Sequence, residues 1–221
     1  MDLPIGYNPL DTLNSNVTQP TGISTYSGNP VYVVNSNGMM TKCSTPAPFP
    51  YDLSSCTVIT TPTGFPSDAY GLGMNQTVSV TYYTVNKLSN SISLCTDPGN
   101  SGNITSCSAA GGSNFNQPVA ITSTRQTNYI LVANAGDSTI TRCAVSAVNG
   151  TLSGCVHTGG SSFNQPSTIF EERDSGYAYI TNKGDNTVTI CSGSNGTLTN
   201  CSRVSYGFFD PVGIVLWDPC G

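Results

Sequence analysis

The sequence predicts an all-β chain assembled from one repeated four-stranded unit, and three observations predict it. Charged residues make up only 9% of the 221 residues, while 23 Gly and 14 Pro punctuate the chain. Ordinary soluble domains carry about 25% charge, and this composition favours short strands joined by frequent turns. An X-Pro step followed by an apolar stretch recurs along the chain. So does a phrase ending in cysteine, NGTLSGC at 149–155 and NGTLTNC at 195–201.

The first strand of each unit follows a proline. FNQP stands at 115–118 and 163–166, with related steps at 19–20, 65–66 and 210–211. Pro20, Pro66, Pro118, Pro166 and Pro211 are separated by 46, 52, 48 and 45 residues, and TGIST, SDAYG, VAITS, STIFE and VGIVL follow them. The second strand carries YVVN (32–35), YTVN (83–86), LVAN (131–134) and YITN (179–182). Runs such as Tyr129–Ala133 are apolar on both faces, as a sheet covered on both sides requires. The third strand holds Met40, Ile92, Ile140 or Val188, and three residues later Cys43, Cys95, Cys143 or Cys191. The fourth carries Cys56, Cys107, Cys155 and Cys201. Gly-Asp in NAGDST and NKGDNT is expected to give the positive φ of the second turn, and Asn-Gly that of the third.

Four strands in roughly 40–50 residues are the mark of a β-propeller blade. The predicted blades cover about 17–60, 62–110, 114–159 and 162–205 of a single domain, 1–221. A partial fifth blade, 208–221, would be completed by residues 1–16 to give a five-bladed ring. Pro4 and Pro9 hinder ladder pairing there, so the alternative is an incomplete ring whose edge a partner completes.

The quoted tetrapeptides, YITN-KGDNTV above all, resemble the YVTN family of β-propeller repeats over about residues 17–217. That resemblance implies the fold and leaves the activity open, because such propellers include archaeal surface-layer proteins, extracellular binding modules and lactonase-like enzymes. Usual members have seven blades, whereas this chain shows four units and one further strand.

Eight of the nine cysteines bracket the third turn as 43/56, 95/107, 143/155 and 191/201. Partners on adjacent antiparallel strands lie within disulfide range, which predicts one staple per blade and an oxidising compartment. Four pairs of reduced thiols in a cytosolic protein are the alternative. Cys220 is left over: free, joined to another chain, or without its partner. No C-x₂-C spacing points to zinc, and neither metal nor cofactor is expected.

A net charge of −5 and a pI near 4.4 argue against nucleic acid and anionic membrane surfaces. No apolar run is long enough for a spanning helix. The opening MDLPIGYNPLD has no signal-peptide pattern, so an extracellular or cell-surface chain is read as a mature form. Sequons stand at Asn16, Asn75, Asn103, Asn149, Asn195 and Asn200, a number such a composition also gives by chance.

Gln19, Gln117, Gln165 and Asp210 precede their prolines, and Asp68 follows Pro66 by two residues. Together they would ring the central mouth, as turn caps or as a contact for a small ligand or glycan. A calcium site wants six to eight oxygens, and two carboxylates are few for the metal of a lactonase-like site. His157 lacks an adjacent nucleophile and carboxylate, and Glu171, Glu172 and Asp174 read as a solvated turn. Asp137 and Asp185 read as turn residues, and Tyr32, Tyr83 and Tyr179 as packing between blades. The expected function is a non-enzymatic extracellular module that contacts other protein chains, copies of itself included. A glycan-binding lectin-like propeller and a lactonase-like hydrolase are the alternatives.

Overall fold

The computed structural model describes residues 17, 19–25, 30–43, 56–59, 62–75, 81–97, 103–124, 128–172 and 175–214. The expectations for residues 1–16, Asp174 and Cys220 therefore lie outside the described residues.

Among the described residues, sixteen strands form four antiparallel meanders. Blade one holds β1 (Pro20–Thr25), β2 (Val31–Asn35), β3 (Met40–Cys43) and β4 (Cys56–Val58). Blade two holds β5 (Ala69–Asn75), β6 (Thr81–Asn86), β7 (Ser91–Thr96) and β8 (Ser106–Ala109). Blade three holds β9 (Pro118–Ser123), β10 (Tyr129–Asn134), β11 (Thr139–Val145) and β12 (Leu152–Thr158). Blade four holds β13 (Pro166–Glu171), β14 (Tyr177–Asn182), β15 (Thr187–Ser194) and β16 (Thr197–Val204). No helix among the described residues is long and apolar enough to cross a membrane.

Strand alternation gives the blades two apolar faces, and the facing sides of successive blades are buried against each other. Tyr32, Val34 and Met40 of blade one meet Leu72, Tyr82 and Cys95 of blade two. Tyr83, Val85, Ile92 and Leu94 meet Ile121, Ile130, Val132 and Cys143 of blade three. Leu131, Ala133 and Ile140 then meet Ile169, Ala178, Ile180 and Cys191 of blade four. The inner strands pack in the order β1, β5, β9, β13, which makes the propeller an arc of consecutive blades. Tyr32 and Tyr83 are core residues as expected; Tyr32 sits edge-on to Tyr82 with ring centroids 4.7 Å apart. The Tyr83 hydroxyl donates to the Gly150 carbonyl of the next blade at 2.6 Å, and burial raises its pKa above the ordinary phenol value. Tyr179 is only partly buried, because it lies on the outgoing face of the last complete blade.

All four cysteine pairs are disulfides, Cys43–Cys56, Cys95–Cys107, Cys143–Cys155 and Cys191–Cys201, with Cα atoms 4.0 to 4.1 Å apart. In blades one and two the partners stand directly opposite; in blades three and four the register shifts beside them.

The second turn is built differently from its expectation. Positive φ falls on Asn90, Ser138 and Asn186, not on the glycines of the Gly-Asp pairs. Gly136 and Gly184 are needed for room. A Cβ there would lie 2.2 and 2.4 Å from the Oδ1 atoms of Asn116 and Asn164. The third turn follows expectation, with positive φ at Gly150, Asn195 and Gly196.

Beyond blade four, residues 205–214 carry no assigned strand and are tied to blade four. Ser167 Oγ donates to the Pro211 carbonyl, and Lys183 pairs with Asp210 at 3.2 Å. The all-β class and four four-stranded sheets are as predicted, but neither a strand of a fifth blade nor a closed five-bladed ring is seen among the described residues. Its closing contact would bring Ile23 of β1 against Val212, and both are 64% exposed.

Candidate functional site

Of the residues expected around the mouth, Gln19, Asp68, Gln117 and Gln165 stand just before the inner strands of blades one to four, at the end that carries the second turns, and Asp210 follows blade four. Gln19, Gln117, Gln165 and Asp210 have φ of 49, 46, 44 and 47°. This left-handed backbone turns the chain sharply into its proline, where φ is fixed. The N–H groups of Gln117, Gln165 and Asp210 donate back to the preceding blade. Their acceptors are Asn90 Oδ1 at 2.6 Å, Ser138 Oγ at 2.9 Å and Asn186 Oδ1 at 2.8 Å. The carbonyls of Gln19, Asp68, Gln117 and Gln165 accept from Ser36, Lys87, Ala135 and Lys183 at 3.0 to 3.2 Å. Asp68 therefore holds the position in blade two that a glutamine holds elsewhere, although it follows its proline.

Gln117, Gln165 and Asp210 are thus latches to the preceding blade through their N–H groups, while the carbonyls tie each entry to its own blade. The side chains divide. Asp68 Oδ2 accepts from the Leu88 and Ser89 amides and the Ser89 hydroxyl at 3.0, 2.7 and 2.8 Å, capping the adjacent turn. Gln19 Oε1 accepts from Ser36 Oγ at 2.8 Å. Asp210 is held by Lys183 in a half-exposed pair of the kind contributing about 0–1 kcal/mol. Gln117 and Gln165 present their side chains to solvent. Lys87 lies with Nζ 4.6 Å from the ring centroid of Tyr70, which packs across the inner edge onto blades three and four. This lysine–tyrosine pair was not anticipated; the repeated Asn-Lys at 86–87 and 182–183 was its signal.

A second set was missed. The asparagine ending each second strand is buried and ties its blade together. Asn134 Nδ2 donates to Thr139 Oγ1 at 3.0 Å and Thr141 Oγ1 at 2.8 Å, while its Oδ1 accepts from the Asn116 amide at 3.2 Å. Asn182 repeats this with Thr187, Thr189 and Asn164 at 3.1, 2.8 and 3.1 Å. Asn86 bonds Ser91 and Ser93, both at 2.9 Å. The invariant N of the repeated tetrapeptides was its trace in the sequence.

The remaining candidates fall elsewhere. His157 lies exposed on β12, its Nδ1 3.3 Å from Thr141 Oγ1, whose own proton goes to the Asn114 carbonyl. Asp137 and Asp185 accept from Thr139 and Thr187 within their turns at 2.7 and 2.6 Å, and Asp185 also pairs with Arg203 at 2.7 Å. Glu172 accepts from the Ser175 hydroxyl. Glu171 is half-buried, and desolvation pushes its carboxyl up to about 7. Asn103, Asn149, Asn195 and Asn200 are exposed, whereas Asn75 is buried at the end of β5, with no room for a sugar. No group of three or more His, Cys, Asp or Glu side chains placed to hold a metal occurs among the described residues.

This architecture has relatives among solved structures. A candidate 6-phosphogluconolactonase of Bacteroides fragilis superposes with a TM-score of 0.62 at 18% identity, over 89% of this chain and 60% of that one. A chain of a nidogen/laminin complex gives 0.64 at 11% identity, over 87% and 66%. A functionally unknown protein from Desulfotomaculum acetoxidans gives 0.60 at 19%, over 87% and 59%. The fold is that of a β-propeller. This chain spans about three fifths of the length of the chains it matches. No family model matches the sequence, and no curated protein does.

Proposed function

We propose that this chain is a non-enzymatic propeller module of an oxidising, extracellular or cell-surface setting, working through contact with other protein chains. The observation that carries this reading is the run of exposed aromatic and apolar residues at the outgoing end of the arc. Tyr206, Phe208, Phe209 and Val212 are all exposed within seven residues of one another. Contiguous apolar surface of this kind marks interaction sites in soluble proteins, and aromatic side chains are enriched where binding energy concentrates. Four disulfides favour the oxidising compartment. The YVTN-type phrases fit the same reading, and the exposed sequons at Asn103, Asn149, Asn195 and Asn200 would accept sugar there.

The lactonase-like reading draws on the Bacteroides fragilis relative, at an identity where likeness speaks for the fold alone. Against it, the two carboxylates available to a central site are engaged: Asp68 caps a turn and Asp210 pairs with Lys183. Assay of the chain against a panel of lactones, with and without divalent cations, separates the readings. The expected result is no turnover above background. Hydrolysis that Asp68→Ala abolishes would overturn the proposal. A glycan array probes the exposed amides of Gln117 and Gln165, and specific sugar binding lost in Gln117→Ala would favour the lectin-like alternative.

A further inference from the structure

At the junction of blades three and four each inner strand contributes one buried apolar side chain beside those of the second and third strands. These are Val119, one residue after its proline, and Ile169, three residues after its own. They are 7% and 5% exposed. The same two positions recur at the ends of the arc. Val212 stands one residue after Pro211 on the outgoing side, and Ile23 three residues after Pro20 on the incoming side. The register confirms the facing of Ile23. It stands opposite Val33 as Ile169 stands opposite Ile180, and Ile180 faces the preceding blade. At 64% exposure each, Ile23 and Val212 are the two separated halves of a contact that the chain buries between blades three and four.

The exposure at the incoming end is confined to the inner strand. Further out on the same face of blade one, Val33, Cys43 and Cys56 are buried and packed with Val17 and Val31. At the outgoing end the residues next to Val212 in the chain include the aromatic Tyr206, Phe208 and Phe209, and the Asp210 carboxylate among them is paired with Lys183.

We propose that the ends of the arc recognise each other between copies, so that a second copy of this chain docks head to tail, Ile23 of one against Val212 of the next. The inference rests on reading the chain as an interaction module and names its partner. Such a contact is heterologous: one patch meets a different patch, and every copy keeps one free end of each kind. Copies add until a ring closes or a filament grows. The shared apolar contact is narrow, so association is weak in dilute solution and rises with concentration.

The test is sedimentation of the full 221-residue chain from micromolar to millimolar protein. The wild type is expected to grow in mass with concentration. Ile23→Asp and Val212→Asp, both at exposed positions and so compatible with folding, each weaken self-association at least about tenfold. The deciding arm is an equimolar mixture of the two variants. Ile23→Asp keeps a good outgoing end and Val212→Asp a good incoming end, so the mixture forms dimers and nothing larger. A wild type that stays monomeric throughout overturns the proposal, as does association indifferent to both substitutions, or a mixture that stays monomeric. A monomer that binds a different protein sinks self-docking alone, whereas lactone hydrolysis sinks the interaction-module reading itself.

Discussion

The junction of blades three and four and the outgoing end of the arc are written in the same residues and reach opposite outcomes. At the junction, Phe163 of SSFNQP folds back beneath Gly159 and is 4% exposed, packed among Leu131, Ile140 and Leu198. A Cβ on Gly159 would lie 2.5 Å from its ring, so glycine is required there. At the outgoing end, the corresponding Phe208 of GFFDP is 38% exposed. The entry latch is the same in both. Gln165 donates to Ser138 at 2.9 Å, and Asp210 donates to Asn186 at 2.8 Å. What differs is the second layer: Phe163 has its own blade's strands over it, and no described strand follows Ile214. A repeat therefore specifies how a strand docks on the blade before it, while its stability comes from the strands that follow.

The largest expected effect breaks that comparison directly. Phe163→Ala removes a fully packed ring and costs about 3–5 kcal/mol, whereas Phe208→Ala, already half in water, costs about 1 kcal/mol. Chemical denaturation of the two variants checks it. Equal losses would mean that the outgoing end is as well packed as the junction.

The disulfides sharpen the same contrast. Opening a cross-strand loop of this size removes about 2–4 kcal/mol of stability. Cys143–Cys155 is buried on both sides, while Cys201 of Cys191–Cys201 is partly exposed in the last complete blade. Under graded reductant, alkylation with mass mapping should label Cys191 and Cys201 first. Simultaneous labelling of all four pairs would show that the arc opens as one unit rather than from its end.

The buried asparagines provide the control. Asn134→Ala and Asn182→Ala each strand two hydroxyls and an amide, at a cost of about 2 kcal/mol. Their networks lie within one blade, so the two losses should match although one blade has neighbours on both sides. A loss at Asn182 smaller by about 1 kcal/mol or more would show that blade four is already loosened by its open face.

Strand order and disulfide partners were legible because each is a local pattern repeated four times, and repetition averages out the noise of any one copy. The cysteines show this best. Their spacing changes from 13 to 10 residues and the register shifts in two blades, yet every pair still meets. Less could be read where one dipeptide serves two physical ends. Gly-Asp looked like a turn chosen for positive φ, but Gly136 and Gly184 are there to admit Asn116 and Asn164. The main-chain latches made by Gln117, Gln165 and Asp210 stayed hidden. A hydrogen bond from Gln165 to Ser138 joins residues 27 apart, and no local pattern announces it. Ring closure was the least accessible of all, since it depends on curvature accumulated over four junctions rather than on any one residue.

The smallest effect probes the lower edge of the closed junction. Glu171 stands opposite Ala178, which is buried between blades three and four, and desolvation lifts its pKa from 4.5 to about 7. A carboxyl whose folded pKa is raised resists ionising in the fold. The folded state therefore holds this proton where the unfolded chain has lost it, and stability falls as pH rises from about 4.5 to about 7. Below that window the group is protonated in both states and contributes no difference; above it the full penalty applies. Water reaches part of the side chain and screens it, which leaves about 1 kcal/mol. Glu171→Gln cannot ionise, so it should melt higher than the parent at pH 8 and equally at pH 4. A uniform shift at both values would assign the change to packing against blade three. No shift at pH 8 would mean that the carboxyl turns outward to solvent, and that the junction is looser at its base than its apolar core implies.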